Sequence, residues 1–330
     1  MRDLLVSLVE FRAAQQRIRG IAERTPLVPL HAPGVHGEVW LKDEGAQPIG
    51  SFKLRGAYNK IAQLTEAERA RGVITYSSGN HAQGVAYAAR GVGAKAVIVM
   101  PTTAPAVKRE AAEALGAEIV LVETAASGVR KARAEELERE FGYVMIPPYD
   151  DAAIIAGQGT CGLEILEERP DVDLVLAPVS GGGLLSGIAA AIKHQRPEVR
   201  IVGVEPELAA DAEESFLTGK LATWPAELTT RTIADGLRTQ SLGALNFEHV
   251  RAFVDTIVTV SEDEIRAAMR AIYELTGVVA EPSGAVATAA LLYHQPAMLP
   301  YRKAVAVVSG RNVEAGALEA ILSKPEVGAI

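Results

Sequence analysis

A single cysteine, Cys161, stands among 330 residues, so no intrachain disulfide is available, and a reducing cytoplasm is the simplest compartment. Cys161 itself is expected to be a small core residue. Paired Cys/His spacing is missing, which excludes conventional transition-metal ligation. No apolar run reaches membrane-spanning length. The briefly apolar start, Met1 to Val9, is broken by Glu10 and then by Arg12 and lacks a small-residue cleavage site, so it predicts an amphipathic first helix rather than a leader. Positive charge is in deficit: 33 Lys and Arg against 41 Asp and Glu give a formal net charge of -8. Nucleic-acid binding needs a cationic footprint, so that class of partner is excluded. Internal repeats, low-complexity tracts and heptad runs are absent. So is a P-loop, since Gly187 is followed by Ile188 rather than lysine.

What remains is a chain with 48% hydrophobic residues, long enough for a large core and about two domains. Glycine and proline punctuate a strand-helix alternation. β-rich runs at 73–76, 96–100 and 118–122, and a second series at 174–178, 201–204, 257–260 and 304–308, alternate with alanine-rich helical stretches. Alternation of this kind implies parallel sheets covered by helices, and two series imply two sheets. A boundary falls near Pro147-Pro148-Tyr149-Asp150, where prolines interrupt the pattern and an acidic residue opens a new helix. Residues 221–230 have little periodicity and read as a loop near the domain junction.

Three segments carry chemistry. Lys53 lies in Gly50-Ser51-Phe52-Lys53-Leu54-Arg55-Gly56. Ser51 is placed to cap a helix, Phe52 offers a flat apolar face, and a desolvated amine beside it loses its charge more easily, which suits Schiff-base chemistry. Taken alone, a lysine here would be a solvated cation. Ser180-Gly181-Gly182-Gly183-Leu184 follows an apolar strand ending at Val179 and precedes a helix, so its N–H groups can hold a phosphate. The same loop approximates a dinucleotide fingerprint through Gly181, Gly183 and Ser186, with Glu205 downstream as the ribose acid. A literal Gly157-x-Gly159-x-x-Gly162 also occurs, inside a stretch that reads as continuous helix. Ser77-Ser78-Gly79-Asn80-His81 sits between a strand and an alanine-rich helix, where N–H groups can receive a carboxylate. As a plain helix cap it would make equal sense.

Lys53 and residues 77–81 decide between the two phosphate readings. With Thr25-Pro26-Leu27, Ile155-Ala156-Gly157-Gln158-Gly159-Thr160 and Ser309-Gly310-Arg311-Asn312, these segments span most of the chain in an order that resembles the fold-type II pyridoxal-phosphate enzymes, specifically the serine/threonine dehydratase and serine racemase branch. The resemblance implies a two-domain α/β fold, each domain a mainly parallel sheet flanked by helices. Residues 1–71 and 150–330 would form the large cofactor-binding domain, and 72–149 a small inserted one. It implies pyridoxal 5'-phosphate on Lys53 beside Phe52, its phosphate on Ser180, Gly181, Gly182, Gly183 and Leu184, its ring hydroxyl on Asn80 and its pyridine nitrogen on Ser309. Substrate would meet Ser77, Ser78, Gly79, Asn80 and His81, with Ser78 catalytic on the face opposite Lys53; His81 is not expected to be a base. A homodimer is the expected assembly.

A serine hydroxyl at the pyridine nitrogen does not favour a protonated ring as a carboxylate would, which suits β-elimination better than transamination. The implied reaction is dehydration of a β-hydroxy amino acid, threonine or serine by default, to a 2-keto acid and ammonium. Lys53 would take the α-proton and the cofactor phosphate would protonate the leaving hydroxyl. The alternatives are an amino-acid racemase, a dehydratase of 3-hydroxyaspartate or a β-aryl serine, and, from another class, a non-catalytic nucleotide- or amino-acid-binding protein. Glu205 and Asp211 flank a loop after a strand, and two carboxylates with a backbone carbonyl match a hard-cation site. The resemblance adds the Ala209 carbonyl and a Mg, Mn or Ca ion. Two residues depart from the family pattern. Ser180 replaces a glycine and could add a phosphate contact. Arg311 also replaces a glycine and either favours an acidic substrate or decorates a turn. No regulatory domain, and hence no feedback inhibition through one, is expected after Ser309.

Overall fold

A computed structural model describes residues 5–77, 79–104, 106–123, 127–298 and 300–323. In chain order the first elements are α1 (Leu8–Arg17), β1 (Leu27–Pro29), β2 (Glu38–Asp43), α2 (Lys53–Ile61) and α3 (Glu66–Arg71). There follow β3 (Val73–Tyr76), α4 (Asn80–Gly91), β4 (Ala96–Pro101), α5 (Ala106–Ala114), β5 (Glu118–Val122), α6 (Ser127–Phe141) and β6 (Val144–Met145). The next stretch holds α7 (Ala152–Glu168), β7 (Leu174–Pro178), α8 (Gly183–Lys193), β8 (Arg200–Pro206), α9 (Asp211–Thr218), α10 (Ala226–Thr229) and α11 (Ala244–Phe253). The last elements are β9 (Thr256–Val260), α12 (Glu262–Thr276), α13 (Pro282–Tyr293), α14 (Gln295–Met298), β10 (Lys303–Val308) and α15 (Ala315–Leu322).

The strands form two sheets, one of order β1-β2-β10-β7-β8-β9 and one of order β5-β4-β3-β6. Every pairing is parallel except β1 with β2. Parallel strands must be covered on both faces, and β10 shows how the sequence does it. Ala304, Ala306 and Val308 pack with Leu174, Leu176 and the α12–α13 side. Val305 and Val307 pack with Val175, Ala177 and the α7–α8 side, where Cys161 is a fully buried core residue. In the smaller sheet Ile74, Val97 and Val99 meet Ala134 and Leu137 of α6, while Ile98 and Met100 meet Ala82 and Ala86 of α4. Among the described residues no helix is long and apolar enough to cross a membrane.

Several expectations change in detail. The first helix begins at Leu8, because Ser7 and Glu10 form a reciprocal capping box. Ahead of it, the Val6 N–H donates to His249 Nε2 and the Val6 carbonyl accepts from His194 Nε2, both at 3.0 Å. The helix after the two prolines is opened by Asp151, which accepts from Ala153 and Ile154 N–H; Asp150 instead accepts from Ala244 and Leu245 N–H at the start of α11. Gly157, Gly159 and Gly162 lie inside α7, so that motif is no nucleotide loop. Its glycines let neighbours approach: a Cβ on Gly157 would stand 2.5 Å from the Arg55 carbonyl, and one on Gly159 would stand 2.7 Å from the Gly187 carbonyl.

Candidate active site

A cavity of about 270 Å³ opens between the two sheets, at the carboxyl ends of parallel strands, where α/β sheets place ligands. Tyr76 and Ser77 reach it from β3, Pro101 from β4, Pro178 from β7 and Ser309 from β10. Lys53 lines it as the first residue of α2. The Lys53 ammonium donates to the Pro148 carbonyl at 2.8 Å and lies 5.2 Å from the centre of the Phe52 ring. Burial pushes its pKa down to about 8, which keeps a usable fraction of free amine near neutral pH. Ser51 does not cap α2, whose start has no side-chain cap. Instead the Ser51 segment pairs with the end of β10: Phe52 N–H donates to the Ser309 carbonyl at 3.1 Å and Arg311 N–H to the Gly50 carbonyl at 2.9 Å. Those two bonds fix Lys53 relative to Ser309.

The glycine turn lies between β7 and α8. Gly182 adopts φ +96, and a Cβ there would also stand 2.8 Å from Asn246 Cβ, so the position demands glycine twice over. Gly181 lies against the Tyr149 ring, where a Cβ would come within 2.4 Å. The turn and Leu184 therefore present bare backbone and the α8 N-terminus to the cavity, a ready anion site. Ser180 also lines the cavity, and its hydroxyl is tied back to Thr239 by the Thr239 N–H at 3.3 Å and by the Thr239 hydroxyl at 2.5 Å. The Ser309 hydroxyl donates to the Ser283 carbonyl at 3.3 Å.

Opposite strands bring the α4 N-terminus to the same cavity. Ser77, Gly79, Asn80 and His81 line it; Ser78 lies outside the described residues. Gly79 N–H donates to Ser77 Oγ at 3.3 Å, and the first turn of α4 offers backbone N–H groups to a carboxylate. Asn80 donates to Glu281 Oε1 at 2.5 Å and accepts from Asn312 Nδ2 at 2.9 Å. His81 is buried and donates to the Ile146 carbonyl at 3.0 Å. Burial, reinforced by Lys53, pushes its pKa down to about 3, so at physiological pH it is neutral, with its Nε2 proton held by Ile146.

The Glu205, Ala209, Asp211 group stands apart and does not line the cavity. Glu205 accepts from Ala212 and Glu213 N–H at 3.1 Å each. Held there and fully buried, it is no ribose ligand, which removes the dinucleotide reading of the glycine loop. Neither Asp211 carboxylate oxygen has a hydrogen-bond partner. Burial pushes both carboxyls up, Asp211 to about 7, and Asp211 raises Glu205 further. Among the described residues no cluster of three or more His, Cys, Asp or Glu side chains forms a metal site. Arg311 is exposed, lies over Gly45 near Asp43, and is not a cavity residue.

Sequence reading missed the charged residues of the cavity, Lys108, Arg130, Asp235, Arg238 and Glu281, and the ring of Tyr149. It also missed what holds α2 in place. Arg55, wholly buried two residues after Lys53, donates to Glu44 at 2.7 and 2.8 Å and to Glu164 at 2.6 and 2.8 Å, and Lys42 donates to Glu164 at 2.7 Å. Burial alone would lower the Arg55 pKa; Glu44 and Glu164 override it and hold it well above the usual value. Two cations and two carboxylates thus close a neutral network inside the core.

Residues 18–310 match the family described as pyridoxal-phosphate dependent enzymes, and the chain belongs to that family. It is 43% identical over 315 residues to the L-threonine dehydratase catabolic TdcB of Escherichia coli, covering 94% of each chain. Among solved structures it is similar to a threonine deaminase from T.th. (43% identity, 93% of this chain and 99% of the other, TM-score 0.87) and to maize serine racemase (38%, 96% of each, TM-score 0.89). The cavity fits the cofactor: a buried amine of lowered pKa stands in one cavity with a side-chain-free helix N-terminus for the phosphate and a hydroxyl, Ser309, for the ring nitrogen.

Proposed function

We propose that this enzyme is a pyridoxal-phosphate-dependent ammonia-lyase that dehydrates L-threonine, and L-serine beside it, to a 2-keto acid and ammonium. The observation that carries the reading is Lys53 sharing one cavity with the glycine turn, in a chain 43% identical to a threonine dehydratase over nearly its full length. Bound pyridoxal phosphate supplies the electron sink that makes the α-proton acidic and, from its phosphate, the proton for the leaving hydroxyl. Residues of the chain bind the reactants and move the α-proton. Lys53, its charge weakened by burial, takes and holds the α-proton at Nζ. The N–H groups at Gly79 and Asn80 hold the substrate carboxylate, and Ser77 and Ser78 face the substrate. Phe52 excludes water beside Lys53. Gly181, Gly182, Gly183, Leu184 and Ser180 hold the phosphate, Asn80 the ring hydroxyl and Ser309 the ring nitrogen. His81 only orients the loop through Ile146.

Incubating the purified enzyme with threonine, serine, 3-hydroxyaspartate and a β-aryl serine, with keto-acid detection, tests the reading; no keto acid from threonine or serine would overturn it. The likeness to maize serine racemase favours racemisation as a second reading. Ser78→Ala should then suppress racemisation more than elimination. The same reading assigns residues 1–71 and 150–330 to a large domain and 72–149 to a small one, supported by the sheets, since β3 to β6 all fall in the latter. A homodimer in a reducing cytoplasm goes with it. The unpartnered carboxylate oxygens of Asp211 support a Mg, Mn or Ca ion held with Glu205 and the Ala209 carbonyl.

A further inference from the structure

Among the charged cavity residues without a task in that reaction, three meet one another. Lys108 comes from α5, on the side of the smaller sheet; Asp235 opens a short 3-10 turn and Glu281 immediately precedes α13, both on the side of the larger one. The Lys108 ammonium stands 2.5 Å from Asp235 Oδ2 and 3.6 Å from Glu281 Oε2. Its stem lies across Gly79, where a Cβ would come 3.2 Å from Lys108 Cδ. Glu281 is only 1% exposed. Its Oε1 accepts from Asn80 Nδ2 at 2.5 Å, while Oε2 has no hydrogen bond among the described residues and faces the Lys108 ammonium. Asn80 Oδ1 is taken by Asn312 Nδ2, which also donates to the Ile49 carbonyl at 2.9 Å.

We propose that Lys108 is a positioning residue: by keeping Glu281 ionised it fixes the amide of Asn80, and so the contact that Asn80 offers the cofactor's ring hydroxyl. The inference rests on the pyridoxal-phosphate reading of the cavity. An ionised carboxylate only accepts, so Asn80 must point its NH₂ at Glu281 and its carbonyl at Asn312. A protonated Glu281 can donate instead, and the amide loses its single preferred orientation. The balance is close. Burial pushes the Glu281 carboxyl up to about 7 even though Lys108 opposes it, and Asp235 adds to the rise. The groups facing Glu281 are Lys108 from α5, Asp235 from the 3-10 turn, neutral Asn80 from α4 and the Gly310 backbone after β10; Lys53 opens α2 in the same cavity.

The test is the affinity of the apo-protein for pyridoxal phosphate, followed by titration from pH 5.5 to 9. In the unaltered protein one inflection should depend on Glu281 and vanish in Glu281→Gln. Lys108→Met should move it upward by at least about one pH unit, with at least about twofold weaker binding at pH 8. Lys108→Arg should restore it. Asp235→Asn should move it downward, an opposite shift that a packing fault at the same place would not produce. An inflection unmoved in Lys108→Met, or a loss of affinity equal at every pH, overturns the proposal. Failure of the unaltered protein to bind pyridoxal phosphate would sink the cofactor reading itself.

Discussion

Gly187 and Gly159 touch backbone to backbone where α8 crosses α7: a Cβ on Gly187 would stand 2.5 Å from the Gly159 nitrogen and 2.6 Å from the Ile155 carbonyl. The contact lets α8 lie close enough to aim its N-terminus into the cavity. Gly187→Ala must push the two helices apart, and the expected cost is about 1–3 kcal/mol of stability. Denaturant melts of the single variant measure it. A larger substitution should add weakened pyridoxal-phosphate binding, because the glycine turn moves with α8.

Lys53→Ala removes the buried amine that donates to Pro148. The unaltered protein should be yellow, with its visible band lost on borohydride reduction, and the variant should show neither the band nor turnover. Peptide mapping after reduction should find the pyridoxyl group on Lys53.

Breaking the Arg55 network should be costly even though nothing in it touches the cavity. Arg55→Met leaves Glu44 and Glu164 buried without their guanidinium, and the expected loss is about 3–5 kcal/mol. Lys42 can still offset one of the two carboxylates. Arg55→Lys should lose less but still register, since one ammonium cannot reproduce paired bonds to both carboxylates. Urea unfolding curves of the two variants decide the order.

The Glu205 and Asp211 carboxyls, pushed up by burial, make stability fall with rising pH. Both are protonated in the folded chain where the unfolded chain has already ionised them, so stability is full below the ordinary carboxylate range and falls as pH rises, the Asp211 share being lost by about pH 7. A divalent cation should reverse the loss. Mg, Mn or Ca is expected to raise the melting temperature at pH 8 and to do little at pH 5, where protons compete. At a hundredfold excess over Kd the gain is about 2.7 kcal/mol. Melting curves unchanged by chelation at pH 8 would remove the ion.

Arg311 reaches solvent above Gly45 rather than the cavity. Arg311→Gly should therefore leave the relative kcat/KM values for serine, threonine and 3-hydroxyaspartate unchanged. A fall in 3-hydroxyaspartate use alone would place the guanidinium at the substrate.

Strand-turn-helix grammar made part of this site legible. Lys53, the turn at 180–184, the loop at 77–81 and Ser309 each sit where a β-rich run gives way to glycine, serine or a new helix, and such junctions can be read locally. Glu281 and Lys108 cannot be read in that way. Glu281 meets Asn80 across 201 residues and Lys108 meets Asp235 across 127, so their meaning exists only after folding. β2 was missed for a related reason. Its Lys42 looks like a surface residue, yet it is fully buried because Glu164 and the Thr25 carbonyl receive its ammonium. The Ser51 cap failed because that segment spends its backbone on the end of β10 rather than on a helix start.

The position of β10 in the larger sheet has a consequence for synthesis. It lies between β2 and β7, pairing with β2 over residues 303–308 and with β7 over 304–306. While the ribosome is still translating the preceding residues, the larger sheet exists only as two separate ribbons, β1-β2 and β7-β8-β9, each with an open edge. The smaller sheet has all its strands once residue 145 emerges. A nascent chain thus carries a finished half and an unjoined half for much of its elongation, with two bare parallel edges exposed to other chains. Lys53 is made early, but the Ser309 strand end that anchors it follows every other strand of the two sheets. The backbone pairing that sets Lys53 beside Ser309 therefore waits for β10.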